Sequence, residues 1–197
     1  MRKASSASVA EKFLKNKEKI MLVWLMIIVG VIFLDQLTKW LTVINLEYIA
    51  PPAMPDTIPV IEDIFHFTYV RNEGAAFGML KDQRWVFLIV STVAIVAMSI
   101  YLWKNRHGGK LLNLGMAFII GGGIGNMIDR TILGYVIDFL DFRIINFAVF
   151  NVADSFVCVG VGIFALAVIL EEIEASKKEK AAKLAAAAEA DEVIEDE

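Results

Sequence analysis

Residues Ile20 to Trp40 read IMLVWLMIIVGVIFLDQLTKW, and this stretch decides the fold class. Ile20–Leu34 carries no charge at all. A helix needs about 20 mostly apolar residues to cross the hydrocarbon core of a bilayer. Asp35 and Lys39 then appear near one end, four residues apart. On a helix that spacing puts them on one face, within reach of each other. A cleaved signal peptide is not expected, because the basic lead-in is long and no small-residue cleavage site follows the apolar run.

Three more stretches repeat the pattern. Trp85–Trp103 has no charged residue and a Trp at each end, as at a membrane interface. Leu111–Ile128 is uncharged, and Phe150–Leu170 holds a single charge, Asp154. A soluble domain accommodates one such helix, hardly four. Composition agrees: 57% of the 197 residues are hydrophobic, against roughly 45–50% in ordinary globular chains. A disordered chain is excluded, and a soluble globular domain is disfavoured. Cys158 is the single cysteine, so no disulfide framework or cysteine metal cluster is available. With only His66 and His107, far apart, a metal hydrolase is a poor fit, and a Ser-His-Asp triad would have to use one of the two. No metal or other cofactor is expected.

The expected fold is therefore a membrane all-α architecture of four transmembrane helices. Charge sets its orientation. Residues 1–19 hold six Lys/Arg, Lys104–Lys110 holds three, and the stretch after the fourth span adds Lys177, Lys178, Lys180 and Lys183. Residues 41–84 and 129–148 together hold five. The positive-inside rule then puts both termini in the cytoplasm, the short Lys104–Lys110 loop weighing most. Three regions follow: a basic cytoplasmic segment at 1–19, a transmembrane domain at 20–170 with extracytoplasmic segments near 41–84 and 129–148, and an acidic Ala/Glu/Lys-rich cytoplasmic tail at 171–197. That tail carries a net charge of −6 and reads as a solvated or partly helical extension. All four prolines lie between Pro51 and Pro59, marking an irregular outer segment. Ile64–Val70 alternates, with Phe65, Phe67 and Tyr69 on one face, which predicts a small extracytoplasmic β element before the turn-like Asn72-Glu73-Gly74.

Polar residues collect at one level. Asp35 and Lys39 lie at the outer end of the first span, and Asn126, Asp129 and Arg130 at the outer end of the third. Asn151 and Asp154 lie at the outer start of the fourth, with Asp138 and Asp141 in the connection between. Ionisable groups in a bilayer are costly and mark function by default. The bland alternatives are a structural clasp for Asp35–Lys39 and headgroup snorkelling for Arg130. Asp154 has no basic neighbour in sequence, so it takes a partner from elsewhere or carries a proton. Two close carboxylates can share a proton, one activating water while the other polarises a carbonyl. These residues alone do not choose Asp138 over Asp129 or Asp141, nor a hydrolase over a proton pathway. The Gly121-Gly122-Gly123 run with Gly125 predicts close helix packing, and Cys158 reads as a small core residue.

Five blocks carry a resemblance. They are Asp35-Gln36-Leu37-Thr38-Lys39, Asn72 to Gly78 (NEGAAFG), Gly125 to Arg130 (GNMIDR), Val136 to Phe142 (VIDFLDF) and Phe150 to Ser155 (FNVADS). In this order the chain resembles bacterial lipoprotein signal peptidase, or signal peptidase II, over about residues 20 to 170. The resemblance implies an aspartic endopeptidase that removes the signal peptide from lipid-modified prolipoproteins, cutting before the diacylglyceryl-cysteine of the lipobox. It implies Asp138 and Asp154 as the catalytic pair. Asn126, Asp129, Arg130, Asn151, Asn72, Gly74, Asp35 and Lys39 would bind substrate or support the pair. It further implies an extracytoplasmic β-cradle, the bacterial cytoplasmic membrane as location, an active site on its outer side, membrane lipids as surroundings, and inhibition by globomycin-type peptides; nucleic acid is no expected partner. A small proton-coupled transporter is the alternative. Beside Arg130, Asp129 reads as a charge-compensated orienter, and Asp141 as a surface loop residue.

Overall fold

The computed structural model describes residues 2–51, 53, 55–74, 84–145 and 147–195. Among these residues the fold has four α-helices, one 3-10 turn (Arg143–Ile145) and one small sheet: α1 (Arg2–Asn45), β1 (Thr57–Ile61), β2 (Phe65–Asn72), α2 (Arg84–Lys104), α3 (Lys110–Ile132), β3 (Val136–Phe142) and α4 (Val152–Glu195). Three helices carry apolar stretches long enough to cross a bilayer: Lys19–Asn45, Lys110–Ile132 and Val152–Leu184. Where the second span is expected stands the helix α2, but its apolar stretch among the described residues, Leu88–Lys104, is shorter than the other three and falls below that crossing length. The acidic stretch after residue 170 continues α4 as helix to Glu195, with i,i+4 pairs Glu174–Lys178 and Glu179–Lys183.

Helix α1 shows how the helices meet. Its buried positions among the described side chains are Trp24, Ile28, Val31, Asp35, Lys39 and Thr42, spaced by threes and fours along one stripe that Leu46, just past its end, continues. That is the seam by which one helix packs against neighbours. Leu22, Leu25, Met26, Val29 and Phe33 point away and are exposed, as are Ile89, Val90 and Val93 of α2. Large apolar side chains facing outward over several turns fit a hydrocarbon solvent, not water.

Helix α3 is the central element, touching α1, α2 and α4. Small residues let it do so. A Cβ on Gly115 would stand 2.8 Å from the carbonyl oxygen of Gly160 and 2.8 Å from the Phe164 nitrogen. A Cβ on Gly121 would stand 2.8 Å from Val31 of α1. The glycine run thus marks close packing, as its composition predicts. At its end, Gly134 adopts φ 86° and its N–H reaches the Asp129 carbonyl at 3.3 Å, turning the chain out of the helix toward β3.

The sheet is antiparallel in the order β1-β2-β3. Pro59 is tolerated because β1 is an edge strand. A bulge between Phe67 and Val70 shifts the β2–β3 register, so that Val70 lies opposite Asp138 and His66 opposite Asp141. The alternation of Ile64–Val70 is real, yet His66 and Thr68 are buried while Phe65 and Phe67 are only half-buried. The phenylalanines instead join an aromatic row, Phe65–Phe142 at 4.6 Å and Phe142–Phe150 at 5.8 Å between ring centres. Cys158 departs from its expected role: it is exposed, because it lines an open cavity rather than the packed core.

A buried ion cluster fastens the helices to the sheet. The Lys39 ammonium, 2% exposed, lies 2.8 Å from Asp35 Oδ2, 2.9 Å from Asp129 Oδ2 and 3.0 Å from Asn126 Oδ1. Its three N–H donors are thereby used. Asp35 Oδ1 accepts from the Ala153 N–H of α4 at 2.9 Å, and Asp129 Oδ2 from the Ile137 N–H of β3 at 3.1 Å. One cation thus links α1, α3, α4 and β3.

Two stability predictions follow from these contacts. Gly115→Ala should lower stability by about 1–3 kcal/mol, since backbone on α4 leaves no room for overpacking. Gly162→Ala, which meets nothing within 4 Å, should be near neutral in the same thermal unfolding series in detergent. Lys39→Met should cost about 3–5 kcal/mol, the usual result of stripping one partner from a buried ion cluster. A Lys39→Met protein that melts with wild type would show that the cluster does not hold the fold.

Candidate active site

Asp138 is the third residue of β3 and is 2% exposed. Asp154 stands in the first turn of α4. The two come from elements that meet at Asn151, the residue just before α4. Asn151 Nδ2 donates to Asp138 Oδ1 at 2.7 Å, and its backbone N–H donates to Asp154 Oδ2 at 3.2 Å. In return the Asp154 N–H donates to Asn151 Oδ1 at 2.9 Å. This reciprocal pair is a capping box, with Asn as cap and Asp three residues on. The positive end of the helix dipole therefore faces Asp154.

The remaining oxygens of both carboxylates are also engaged. Asn126 Nδ2 donates to Asp154 Oδ1 at 2.7 Å, and Asn72 Nδ2 to Asp138 Oδ2 at 2.8 Å. Asn126 Oδ1 in turn accepts from both Asn151 Nδ2 (2.9 Å) and Lys39 Nζ (3.0 Å). A chain of hydrogen bonds thus runs from the buried ammonium through Asn126 to Asp154. Burial, with the Asp154 charge adding to it, pushes the Asp138 carboxyl up to about 7; the hydrogen bonds from Asn72 and Asn151 and the Lys39 charge oppose this.

Both carboxylates line one cavity of about 820 Å³. Asn72, Gly74, Asn126 and Arg130 line it as well. Asp35, Lys39, Asp129 and Asn151 do not; they stand behind the wall and hold it. Gly74 closes an Asx turn, its N–H donating to Asn72 Oδ1 at 3.0 Å. Ala75 to Gly78 of the second sequence block lie outside the described residues. Arg130 donates to the Gly74 carbonyl at 3.5 Å and lies within Coulombic reach of Asp154 and Asp138.

Two sequence expectations are corrected here. Asp129 makes its ion pair with Lys39, a partner the sequence did not point to, while remaining within Coulombic reach of its neighbour Arg130; α3 turns Asp129 inward to α1 and Arg130 toward the cavity. Asp141 is a strand residue rather than a surface loop residue: it accepts from Thr68 Oγ1 at 2.7 Å and pairs with Arg143 at 3.0 Å. Among the described residues, no group of His, Cys, Asp or Glu is arranged to hold a metal ion. Sequence reasoning gave no role to Gln36. Its amide donates to Asp129 Oδ1 at 3.0 Å and to the Gly125 carbonyl at 3.2 Å, tying α1 to α3. An amide beside Asp35 within an apolar span was the available signal.

Known proteins resemble this chain in sequence and in fold. A sequence model of the family Signal peptidase (SPase) II matches residues 27–170. Curated relatives named lipoprotein signal peptidase include one from Brevibacillus brevis, 42% identical over 149 residues, covering 75% of this chain and 96% of the relative. Another, from Clostridioides difficile, is 45% identical and covers 71% of this chain and 89% of the relative. A third, from Bacillus subtilis, is 36% identical and covers 80% of this chain and the whole of the relative. Two solved structures described as a bacterial membrane enzyme superpose with TM-scores of 0.69 and 0.64, each 28% identical. They cover 76% and 74% of this chain, and 89% and 92% of their own. The transporter alternative finds no support among these relatives. With its membrane helices, small antiparallel sheet and matched sequence over most of its length, the chain belongs to the signal peptidase II family, membrane aspartic peptidases that remove signal peptides from prolipoproteins.

Proposed function

We propose that Asp138 and Asp154 are the catalytic pair of this peptidase, and that it cuts before the diacylglyceryl-cysteine of the lipobox. One observation carries the proposal: a single residue, Asn151, binds both carboxylates at the wall of one cavity. In the monoprotonated pair, Asp138 holds the proton, since its carboxyl is the one pushed up to about 7. Asp154, at the positive end of the α4 dipole, is the charged partner.

The mechanism follows from that asymmetry. Asp154 takes a proton from a water held between the two carboxylates, and the resulting hydroxide adds to the peptide carbonyl. Protonated Asp138 donates to the carbonyl oxygen as negative charge builds there. Collapse of the tetrahedral species returns a proton to the leaving amine, so atoms and charge balance and no covalent intermediate is needed. Asn126, Asn151 and Asn72 fix the carboxylate planes. Arg130, with Gly74, contacts substrate backbone.

The chain sits in the bacterial cytoplasmic membrane with four crossings, both termini in the cytoplasm and the cavity on the outer side. The 1–19 segment and the 171–197 tail are then its cytoplasmic extensions. The positive-charge distribution supports this orientation. The substrate's signal helix lies among the spans, and its acyl chains stay in the bilayer. Anchorage in the lipid fixes the scissile bond at cavity depth and supplies much of the positioning. Globomycin-type peptides would compete for the same cavity.

Cleavage of a diacylglyceryl-modified prolipoprotein by the purified protein tests the pair. Asp138→Asn and Asp154→Asn should each lower kcat by about 10²–10⁴. Asp141→Asn, whose carboxylate is engaged by Thr68 and Arg143, should still cut, and a chelator should change nothing. If Asp138→Asn cuts at the wild-type rate, the pair is misassigned while the family stands.

The pH profile tests the proton's place. Asp138 works protonated, and its carboxyl lies at about 7. Activity should therefore fall as pH rises through about 7. A profile flat from pH 6 to 9 would remove Asp138 as the acid, or its raised value with it.

A further inference from the structure

Arg71 has a setting that the catalytic reading leaves unused. It is exposed, near the end of β2, opposite Ile137 of β3. Its guanidinium carbon lies 4.0 Å from the ring centre of Tyr48, 4.9 Å from that of Tyr135 and 5.7 Å from that of Tyr69. Its Nε donates to the Tyr69 hydroxyl at 3.4 Å. Tyr69 packs in turn with Leu46 and Ile137, so the cage rests on a buried cluster. No carboxylate among the described residues lies within ion-pair distance of this cation. Three aromatic rings hold the charge in place without neutralising it.

Its position relative to the chemistry is equally defined. Arg71 lines the same cavity as Asp138 and Asp154. Its neighbour Asn72 binds Asp138 Oδ2 at 2.8 Å, and its other neighbour, Val70, lies opposite Asp138 in the sheet. The cavity lining runs from Ser155 and Cys158, on the spanning part of α4, to Tyr48, Pro51 and Arg71, outside any candidate span. On the peptidase reading above, a signal helix held by the membrane occupies the first end and the mature polypeptide leaves by the second. An extended chain advances about 3.3 Å per residue, so the first residues after the cut pass the guanidinium.

We propose that Arg71 is a specificity residue that receives an acidic side chain from the first residues of the mature polypeptide. This rests on the peptidase reading above. A guanidinium already pinned by aromatic rings loses little freedom on binding, and its fork of N–H donors matches a carboxylate. At an exposed rim the preference is modest and weakened by salt.

The test uses two diacylglyceryl-modified prolipoprotein peptides, identical except for Asp or Asn directly after the modified cysteine. Both are cut by the full-length protein in the same detergent, without phospholipid. Wild type should favour the Asp peptide in kcat/KM by about three- to fivefold at low salt, mostly through KM. In Arg71→Gln the ratio should fall to about one, and Arg71→Lys should restore part of it. The ratio is taken within one protein, so a general loss of folding or activity cannot imitate the result. Equal cutting of both peptides by wild type overturns the inference alone. So does an Arg71→Gln protein that is slower yet keeps the ratio, because the cage is then only structural. Stimulation of both peptides alike by added anionic phospholipid, through Arg71, assigns the guanidinium to lipid phosphate and also overturns it. A wild-type protein that cuts neither peptide removes the peptidase reading, and this inference with it.

Discussion

The ammonium of Lys39 lies among helices where water does not reach, and a buried charge is tolerated only when paired and hydrogen-bonded. Everything polar near it is arranged by that demand. Asp35 and Asp129 provide the counter-charges and Asn126 the third acceptor. Each of these residues has a second duty. Asp35 caps an N–H of α4, Asp129 holds the start of β3, and Asn126 holds Asp154. The cation therefore sets the height at which α1, α3 and α4 meet, and with it the position of the sheet. The bland reading of Asp35 and Lys39 as a clasp is correct as far as it goes. The clasp is also the foundation of the carboxylate pair.

The pair itself is asymmetric because its members come from different kinds of backbone. Asp154 belongs to a helix start, where free N–H groups and the dipole favour negative charge. Asp138 belongs to a strand, where no such field exists and burial disfavours the charge. Two carboxylates on one helix would share one environment and compete for the same role. Bringing a strand to a helix cap gives two environments to one residue type. Asn151 is the joint, since its side chain reaches the strand while its backbone begins the helix.

Much of this was legible in the sequence. The apolar runs gave the helices, and the four-residue spacing of Asp35 and Lys39 gave their pairing, because helical neighbours are local information. The depth of Asp154 pointed to a distant partner, which Asn126 provides from 28 residues away. Other features were not legible, for one physical reason: they depend on contacts between segments far apart in the chain. Which side of α3 faces α1 decides that Asp129 meets Lys39. The pairing of β2 with β3, with its bulge, decides that Asn72 reaches Asp138 across 66 residues. Without that register, Asp138 and Asp141 are equivalent in the string VIDFLDF. The resemblance to a known family separated them, and strand geometry explains why they differ: Asp141 spends its charge on Thr68 and Arg143.

Packing and chemistry meet at the glycines of α3. In lipid, apolar side chains gain nothing from leaving their solvent, so helices associate through close contact and polar links. Gly115 against Gly160, and Gly121 against Val31, let α3 approach both α4 and α1 at backbone distance. Gly125 continues the series at the level of the ion cluster, where a Cβ would stand 2.5 Å from Asp35 Oδ2. A larger residue there would displace Asp35 from Lys39 and from the start of α4. The same small-residue face that joins the helices thus leaves the space in which the buried charges are matched. Close packing along the lower part of α3 and a polar site at its end are one continuous solution, since the amide of Asn126 spans from Lys39 to Asp154 only when both flanking helices lie this near.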